Sequence, residues 1–325
     1  MAQNDRLFQL IKSLTPNEKS YFAKFARVNN RKEERPDYQK LFEAIEVQDV
    51  YDETSLKEMP FLKNQSLSVK KNQLTDKILE VLAIMYAGKT GEAQLKRSLT
   101  YMPILFQRKQ YEEMRKQIIS AKKKANEVEA FHLLLELLHW EKNLIWKQTE
   151  KKNQMEKVME EESLCFRQLQ NQLNYKNIKI KIKAFTRKKA VDTSNLETIE
   201  LLLQDDLLKD DIEFLSRGDE RNYHQIKAIY YRLKKDAKSA LKHVEALVNI
   251  YETDLKKVEK GEYKQALCDY LVVCDAAQDF EKFPTVLQKI ETIYKDKIDD
   301  IRTFNTVNFL QLRYYLHKGN WEVVE

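Results

Sequence analysis

The sequence predicts an all-α protein, a solenoid of stacked antiparallel helix pairs behind an N-terminal helical cap. Three observations predict it: a scarcity of glycine and proline, apolar residues at helical spacing along most of the chain, and a short polar turn that recurs between such stretches. The chain has 325 residues with 5 Gly and 5 Pro, where average usage would give roughly 23 and 16. Tight hairpins and nucleotide-cradling loops consume glycine, because their turns need positive φ. Barrels, sandwiches and dinucleotide folds are therefore disfavoured together. Charged residues make up 33% and hydrophobic ones 42%, enough for a core flanked by good helix formers such as Lys, Glu, Gln and Leu.

The first segment places Leu7, Leu10, Ile11 and Leu14 on one helix face, and Asp5 precedes them, so it does not read as a secretory leader. Thr15-Pro16-Asn17-Glu18 is a capping box: Thr as N-cap, Pro at the first helical position, Glu reaching back from the third. Tyr21, Phe22, Phe25 and Val28 follow at helical spacing. Asn29 to Arg35 is a polar connector. Pro36 then opens a helix carrying Tyr38, Leu41, Phe42 and Ile45. A long helix is expected from about Ser66 to Ala87, with Leu67, Leu74, Ile78, Leu82 and Met85 inward. Residues 1–90 form the cap and residues 91–325 the array.

Within the array, residues 222–252 are the clearest pair. Ile226, Ile229, Tyr230 and Leu233 make one stripe. After Lys235-Asp236, a second runs through Ala237, Ala240, Leu241, Val244, Leu247, Val248 and Tyr251. Two amphipathic helices joined by so short a turn must lie antiparallel. Neither buries its stripe alone, so pairs must stack. Similar punctuation falls at Lys109-Gln110-Tyr111, Asp279-Phe280 and Gly319-Asn320-Trp321; counted from Ala237 to Phe280 to Trp321, successive turns lie about 42 residues apart, which is the mark of a repeat array. Ser194 to Glu197 is a further capping box, opening a helix expected to continue through Leu201, Leu202 and Leu208.

Tyr315-x3-Gly319-Asn320-Trp321 resembles the middle of a tetratricopeptide repeat, with an aromatic near the end of the first helix, Gly, then a small polar residue and an aromatic opening the second. Ala228, Tyr231, Asp236, Ala240 and Val244 fit the same register. The resemblance covers residues 99–125 and 219–325 well and 126–218 poorly. The period is near 42 instead of 34, Phe283 replaces the usual small residue, and Pro284 implies a late start for its helix. The segments SLTPNEKSYFAKF and YQKLFEAIE resemble the opening of a group of Bacteroidota helical-repeat proteins without assigned function. The chain stops at Glu325, four residues after Trp321, so the sequence reads as a fragment whose last pair is completed elsewhere.

Candidate chemistry is sparse. Gly88-Lys89-Thr90 matches the tail of a phosphate-binding loop, but position 83 is Ala and the preceding residues are helical, so it reads as a helix end and a loop. His132, Glu136 and His139 share a helix face, yet the two His lie about 10 Å apart along the axis, too far for one ion with bonds of ~2 Å. The acidic run Asp205, Asp206, Asp210, Asp211 and Glu213 lacks the spacing of a calcium loop and reads as a solvated helix face. No GxSxG occurs. Cys165, Cys268 and Cys274 include no CxxC and read as buried free thiols of a reducing compartment. The longest apolar stretch, Val81 to Ala87, falls far short of a membrane span of ~20 residues. The expectation is a cytoplasmic protein with no cofactor, no metal and no catalytic residues, for which a small-molecule ligand is disfavoured.

The most unusual stretch is Tyr175 to Lys189, with seven basic residues and no acid. Ile178, Ile180 and Ile182 alternate with Lys in strand fashion, but Tyr175, Ile178, Ile182 and Phe185 also form a helix stripe and no partner strand exists, so a helix is predicted. Lys176, Lys179, Lys183 and Arg187 would then line one side, suited to phosphates or an acidic partner, or merely solvated with their stems on apolar neighbours. The charge is uneven. Residues 99–195 carry 20 basic and 12 acidic side chains, and residues 196–325 carry 20 and 25.

Two functions follow. The first is a non-catalytic protein–protein interaction module or scaffold. The tetratricopeptide resemblance implies that the first helices of successive pairs line a concave groove, with Asn222, Gln225, Arg232 and Arg313 facing an extended peptide or partner helix. The alternative is nucleic-acid or other polyanion binding through the basic helix at 176–189.

Overall fold

In a computed structural model of the chain, the described residues are 5–28, 36–62, 66–147, 152–186, 193–253, 260–294 and 301–319. They form α1 (Arg6–Ser13), α2 (Pro16–Val28), α3 (Asp37–Glu46), α4 (Glu53–Lys57), α5 (Leu67–Tyr86), α6 (Gly91–Gln107), α7 (Tyr111–Glu127), α8 (Phe131–Lys147), α9 (Lys152–Thr186), α10 (Thr193–Leu202), α11 (Arg217–Leu233), α12 (Ala237–Thr253), α13 (Lys260–Ala277), α14 (Phe283–Tyr294) and α15 (Ile301–His317). Among the described residues there is no strand, and helices pack as neighbouring pairs in a manner compatible with an α-solenoid. Packing divides the chain into two units, residues 1–101 and 102–325. The division falls inside α6, just before Pro103, which has no N–H to bond the carbonyl of Leu99.

In the first unit, the Asp5 carboxylate caps α1 by accepting the N–H groups of Leu7 and Phe8, each at 3.1 Å, and forms an ion pair with Lys71 of α5. The Thr15 box is closed in both directions. Thr15 N–H donates to Glu18 Oε2 at 2.7 Å, and Glu18 N–H to Thr15 Oγ1 at 3.3 Å. Leu7, Ile11, Phe22, Leu41, Ile45, Leu74 and Ile78 share one core. The residues between Asn29 and Arg35 lie outside those described.

The second unit repeats one way of ending a helix. Lys109, Glu129, Lys235 and Gln278 all have positive φ, between 53 and 60°, and Gly319 has φ 70°. After each of the first four, the next N–H reaches back five residues: Gln110 to the carbonyl of Leu105 at 2.9 Å, Ala130 to Ala125 at 2.9 Å, Asp236 to Tyr231 at 2.9 Å, and Asp279 to Cys274 at 3.0 Å. This is a Schellman cap, which satisfies carbonyls that a helix end leaves unpaired. Three of the polar turns expected from sequence are thus one physical device, and Gly319 adopts the same left-handed backbone. The cap at Glu129, between α7 and α8, carries no such sequence signal.

Only one of these five positions is glycine, although a left-handed backbone crowds Cβ against the carbonyl. Lys109 and Lys235 are exposed. Lys109→Gly and Lys235→Gly should therefore each stabilise the unit by roughly 0.5–1 kcal/mol, read as a raised urea midpoint with unchanged slope. A lower midpoint for both variants would contradict this account of the caps.

The late helix start implied by Pro284 is observed. The α12 helix begins two residues after Lys235, whereas α14 begins at Phe283, five residues after Gln278. Proline fits that first turn because its missing N–H would have had no intrahelical partner. One expectation fails. The helix from Ser194 ends at Leu202 rather than continuing to Leu208, and a 3-10 turn, Asp206–Leu208, follows. Asp205 accepts the N–H of Leu207 at 3.0 Å, a local bond that competes with helix, and acids are unfavourable at a helix C-terminus. The acidic run is accordingly a connector, not a helix face. The side chains of residues 193–196 lie outside those described.

The 35-residue α9 is helical through the described part of the basic stretch, Tyr175 to Thr186. Tyr175, Ile178 and Ile182 are buried as the helix stripe requires, while Ile180 is exposed. It lies against both α8 and α11. A polar knot fixes the α7–α8 turn to α9 and α11. Glu129 accepts Gly218 N–H at 2.8 Å and the Arg221 guanidinium at 2.5 Å, and its carbonyl accepts Gln172 Nε2 at 3.3 Å. A Cβ on Gly218 would lie 2.7 Å from Glu129 Oε2, so glycine lets the carboxylate reach the backbone.

Candidate partner groove

Asn222, Gln225 and Arg232 are spaced to share one face of α11. The opposite demands on α11 are met by Tyr223, Ile226 and Tyr230, buried against α9, α10 and the connector, and by Ala228, buried with α12 and α13. What remains for the polar face is to meet its neighbours along the edge of the array. Lys179 Nζ of α9 donates to Asn222 Oδ1 at 2.8 Å and to Gln225 Oε1 at 3.2 Å. Arg232 faces Asp269 of α13 at 3.5 Å. Arg313 of α15 donates from Nε to Asp275 of α13 at 2.8 Å. The four residues thus belong to one polar ladder running across α9, α11, α13 and α15.

The ladder's charges are modulated by burial. Lys179 is half-buried, and loss of hydration, with Lys183 nearby, holds its ammonium below the ordinary lysine range. Burial likewise pushes the Asp269 carboxyl up against the pull of Arg232. At the α15 end, a cleft of about 370 Å³ opens beside Asp275 and Arg313, walled by Phe280, Phe309, Leu316 and His317. The His317 ring lies 4.4 Å from that of Phe280, and the Arg313 guanidinium sits 5.9 Å from the Phe309 ring. An apolar wall beside a charged pair suits one side chain of an extended chain, with its backbone offered to polar groups.

Lys176 and Lys183 occupy exposed positions of α9 while Lys179 turns to α11, and Arg187 lies outside the described residues. Of the described basic residues, Lys179 is thus turned away from the open face that Lys176 and Lys183 occupy. His139 Nε2 lies 3.1 Å from Asn143 Nδ2, one turn along α8. Among the described residues, no group of three His, Cys, Asp or Glu is placed to hold a metal ion, and no helix is long and apolar enough to cross a membrane. The Gly88 segment is a loop between α5 and α6, in which Thr90 Oγ1 accepts Ala93 N–H at 3.1 Å. Cys165, Cys268 and Cys274 are buried and not joined in disulfides. Burial pushes the Cys165 thiol up to about 11 and the Cys274 thiol to about 12.

One cluster has no signal in the sequence. His224 of α11 and His243 of α12 approach Nδ1 to Nδ1 at 3.0 Å. Tyr231 stacks on His243 with 5.5 Å between centroids and 11° between planes. Burial pushes His243 down to about 4, helped by His224, Lys227 and Lys242 and opposed by Asp210, and it lowers His224 as well. Asp210, expected on a solvated face, accepts Tyr223 Oη at 2.9 Å and Lys227 Nζ at 3.0 Å.

No protein family, no curated protein and no solved structure matches the chain.

Proposed function

We propose that the chain is a non-catalytic protein–protein interaction module, a tetratricopeptide-like scaffold that holds a peptide or partner helix against the first helices of its pairs. The polar ladder is the observation that supports the reading. Asn222 and Gln225 meet Lys179 of α9, Arg232 meets Asp269 and Arg313 meets Asp275 of α13, and the cleft at Phe280 and Phe309 beside Arg313 would supply an apolar anchor point. Buried cysteines outside any disulfide accord with a cytoplasmic setting.

Peptides selected on the immobilised chain test the reading. Their affinity, measured by fluorescence anisotropy, should fall at least tenfold in Arg313→Glu and in Arg232→Glu. Affinity indifferent to both changes would remove the groove from the proposal. Polyanion binding is the second reading, favoured by the exposure of Lys176 and Lys181 and weakened by the commitment of Lys179 to α11. An oligonucleotide in the same assay at ~50 mM salt should bind no better to the wild-type chain than to Lys176→Glu with Lys181→Glu if the groove reading holds.

A further inference from the structure

The α9 helix carries an apolar row that its neighbours do not cover. Met159, Phe166, Leu173 and Ile180 are 53, 59, 51 and 57% exposed. Single exposed apolar residues are ordinary on any surface. These four recur at every seventh residue. Seven residues fall 20° short of two helical turns, so the row drifts only about 60° over its length, and at 1.5 Å per residue it runs for about 32 Å. The buried residues Val158, Cys165, Tyr175, Ile178 and Ile182 face elsewhere, and α8 and α11 occupy that side. A heptad-spaced apolar row on an outer helix flank supplies one of the two apolar positions per heptad through which a second helix packs in a coiled coil.

The charges beside the row say which helix. Exposed Glu156 and Glu160 flank its N-terminal half, and exposed Lys176 and Lys181 flank its C-terminal half. A second copy laid parallel would set acid beside acid and base beside base. A second copy laid antiparallel, on a two-fold axis midway between Phe166 and Leu173, sets Met159 against Ile180 of the other copy and Phe166 against its Leu173. Glu160 follows Met159 and Lys181 follows Ile180, so the two lie on the same flank of the row. A two-fold axis brings identical flanks together. Glu160 therefore meets Lys181 of the second copy, twice per dimer. Exposed Arg167, on the same flank after Phe166, meets the uncharged Asn174 of the second copy. We infer that the Met159–Ile180 row of α9 is a self-association surface that pairs two copies of this chain through an antiparallel helix contact.

Sedimentation of the full 325-residue chain over a concentration series reaching roughly 100 µM tests the inference, since a single helix seam is a small interface. The wild-type chain should dimerise with concentration. Phe166→Glu with Leu173→Glu should weaken the dimer at least tenfold while leaving helicity and melting unchanged, because both side chains are half exposed. Glu160→Lys should also weaken it, and adding Lys181→Glu should restore it. Orientation is read by cross-linking. A mixture of Phe166→Cys and Leu173→Cys chains should form more disulfide-linked dimer than either variant alone, the three native thiols being buried. A wild-type chain that stays monomeric, including one whose row is covered by another protein's helix, would overturn the inference. So would a dimer indifferent to both the apolar and the charge changes, or a Phe166→Cys chain that cross-links to itself as well as the mixture does.

Discussion

Phe283→Ala should lower the stability of the second unit by about 3–5 kcal/mol, the range for deleting a fully buried aromatic side chain. Phe283 is 0% exposed. Its ring lies parallel to Tyr314 at 4.9 Å and 10°, and edge-on to Phe280 at 5.7 Å. It therefore joins three elements: the cap that ends α13, the first turn of α14, and α15. The late start of α14 makes this possible. With α14 beginning at Phe283, a bulky ring sits where an earlier helix start would have placed a mid-helix residue. Aromatic pairs of this geometry add about 0.5–1.5 kcal/mol beyond the area they bury, so Phe283→Leu should lose less than Phe283→Ala but still more than about 1 kcal/mol. In stacked arrays each pair is stabilised mainly by its neighbours. Hydrogen exchange in the alanine variant should therefore accelerate first in α14 and α15 and last in α11 and α12. An alanine variant within 1 kcal/mol of wild type, or uniform loss of protection, would show that the ring is not the anchor described.

The histidine pair should make the second unit acid-sensitive. The His224–His243 contact needs an N–H on one ring and a lone pair on the other, so both cannot be charged while it persists. The folded-state value for His243, about 4, lies below the ordinary histidine value of 6.5. The unfolded chain thus binds the proton more tightly. The resulting stability is fully present above pH 6.5 and is lost as pH falls from there towards about 4. With allowance for the solvent that still reaches the ring, the loss from this pair should be roughly 2 kcal/mol. Carboxylates titrate in the same window, so the measurement is a difference. His243→Phe keeps a ring to stack on Tyr231 and removes the proton site. Its melting temperature should fall less than that of wild type between pH 7.5 and 4.5. Parallel curves for the two chains would refute the assignment.

Much of the fold was legible because helix formation is local. The Thr15 box, the Pro36 start, the helix from Ser66 and the turns at Lys109, Lys235 and Asp279 each depend on residues within a few positions of one another. The structure has a helix or a helix end at each of them. The Glu129 cap escaped because a left-handed Glu leaves no mark in the sequence. Its stability comes from Gly218 and Arg221, about 90 residues downstream. The end of α10 was misplaced because the apolar spacing of Leu202 and Leu208 suggested continuity, while a single carboxylate bond from Asp205 favoured a turn. Cleft residue Phe280 lies in the turn between α13 and α14 and Phe309 lies in α15, and no periodicity states that this turn and that helix meet.

Composition and periodicity determined that the described chain is helical and that the stretch from Tyr175 runs as helix rather than strand. The tetratricopeptide resemblance, carried over in register, implied that Asn222, Gln225 and Arg232 share one face of one helix. The tertiary structure alone decided what that face meets. Lys179, one of four basic residues marked for an outside partner, is spent on Asn222 and Gln225, while the row from Met159 to Ile180 is left open. The reason is physical. A helix fixes which side chains share a face through contacts three and four residues apart, but which face is covered depends on helices brought alongside from 40 or more residues away, and no local rule contains that choice.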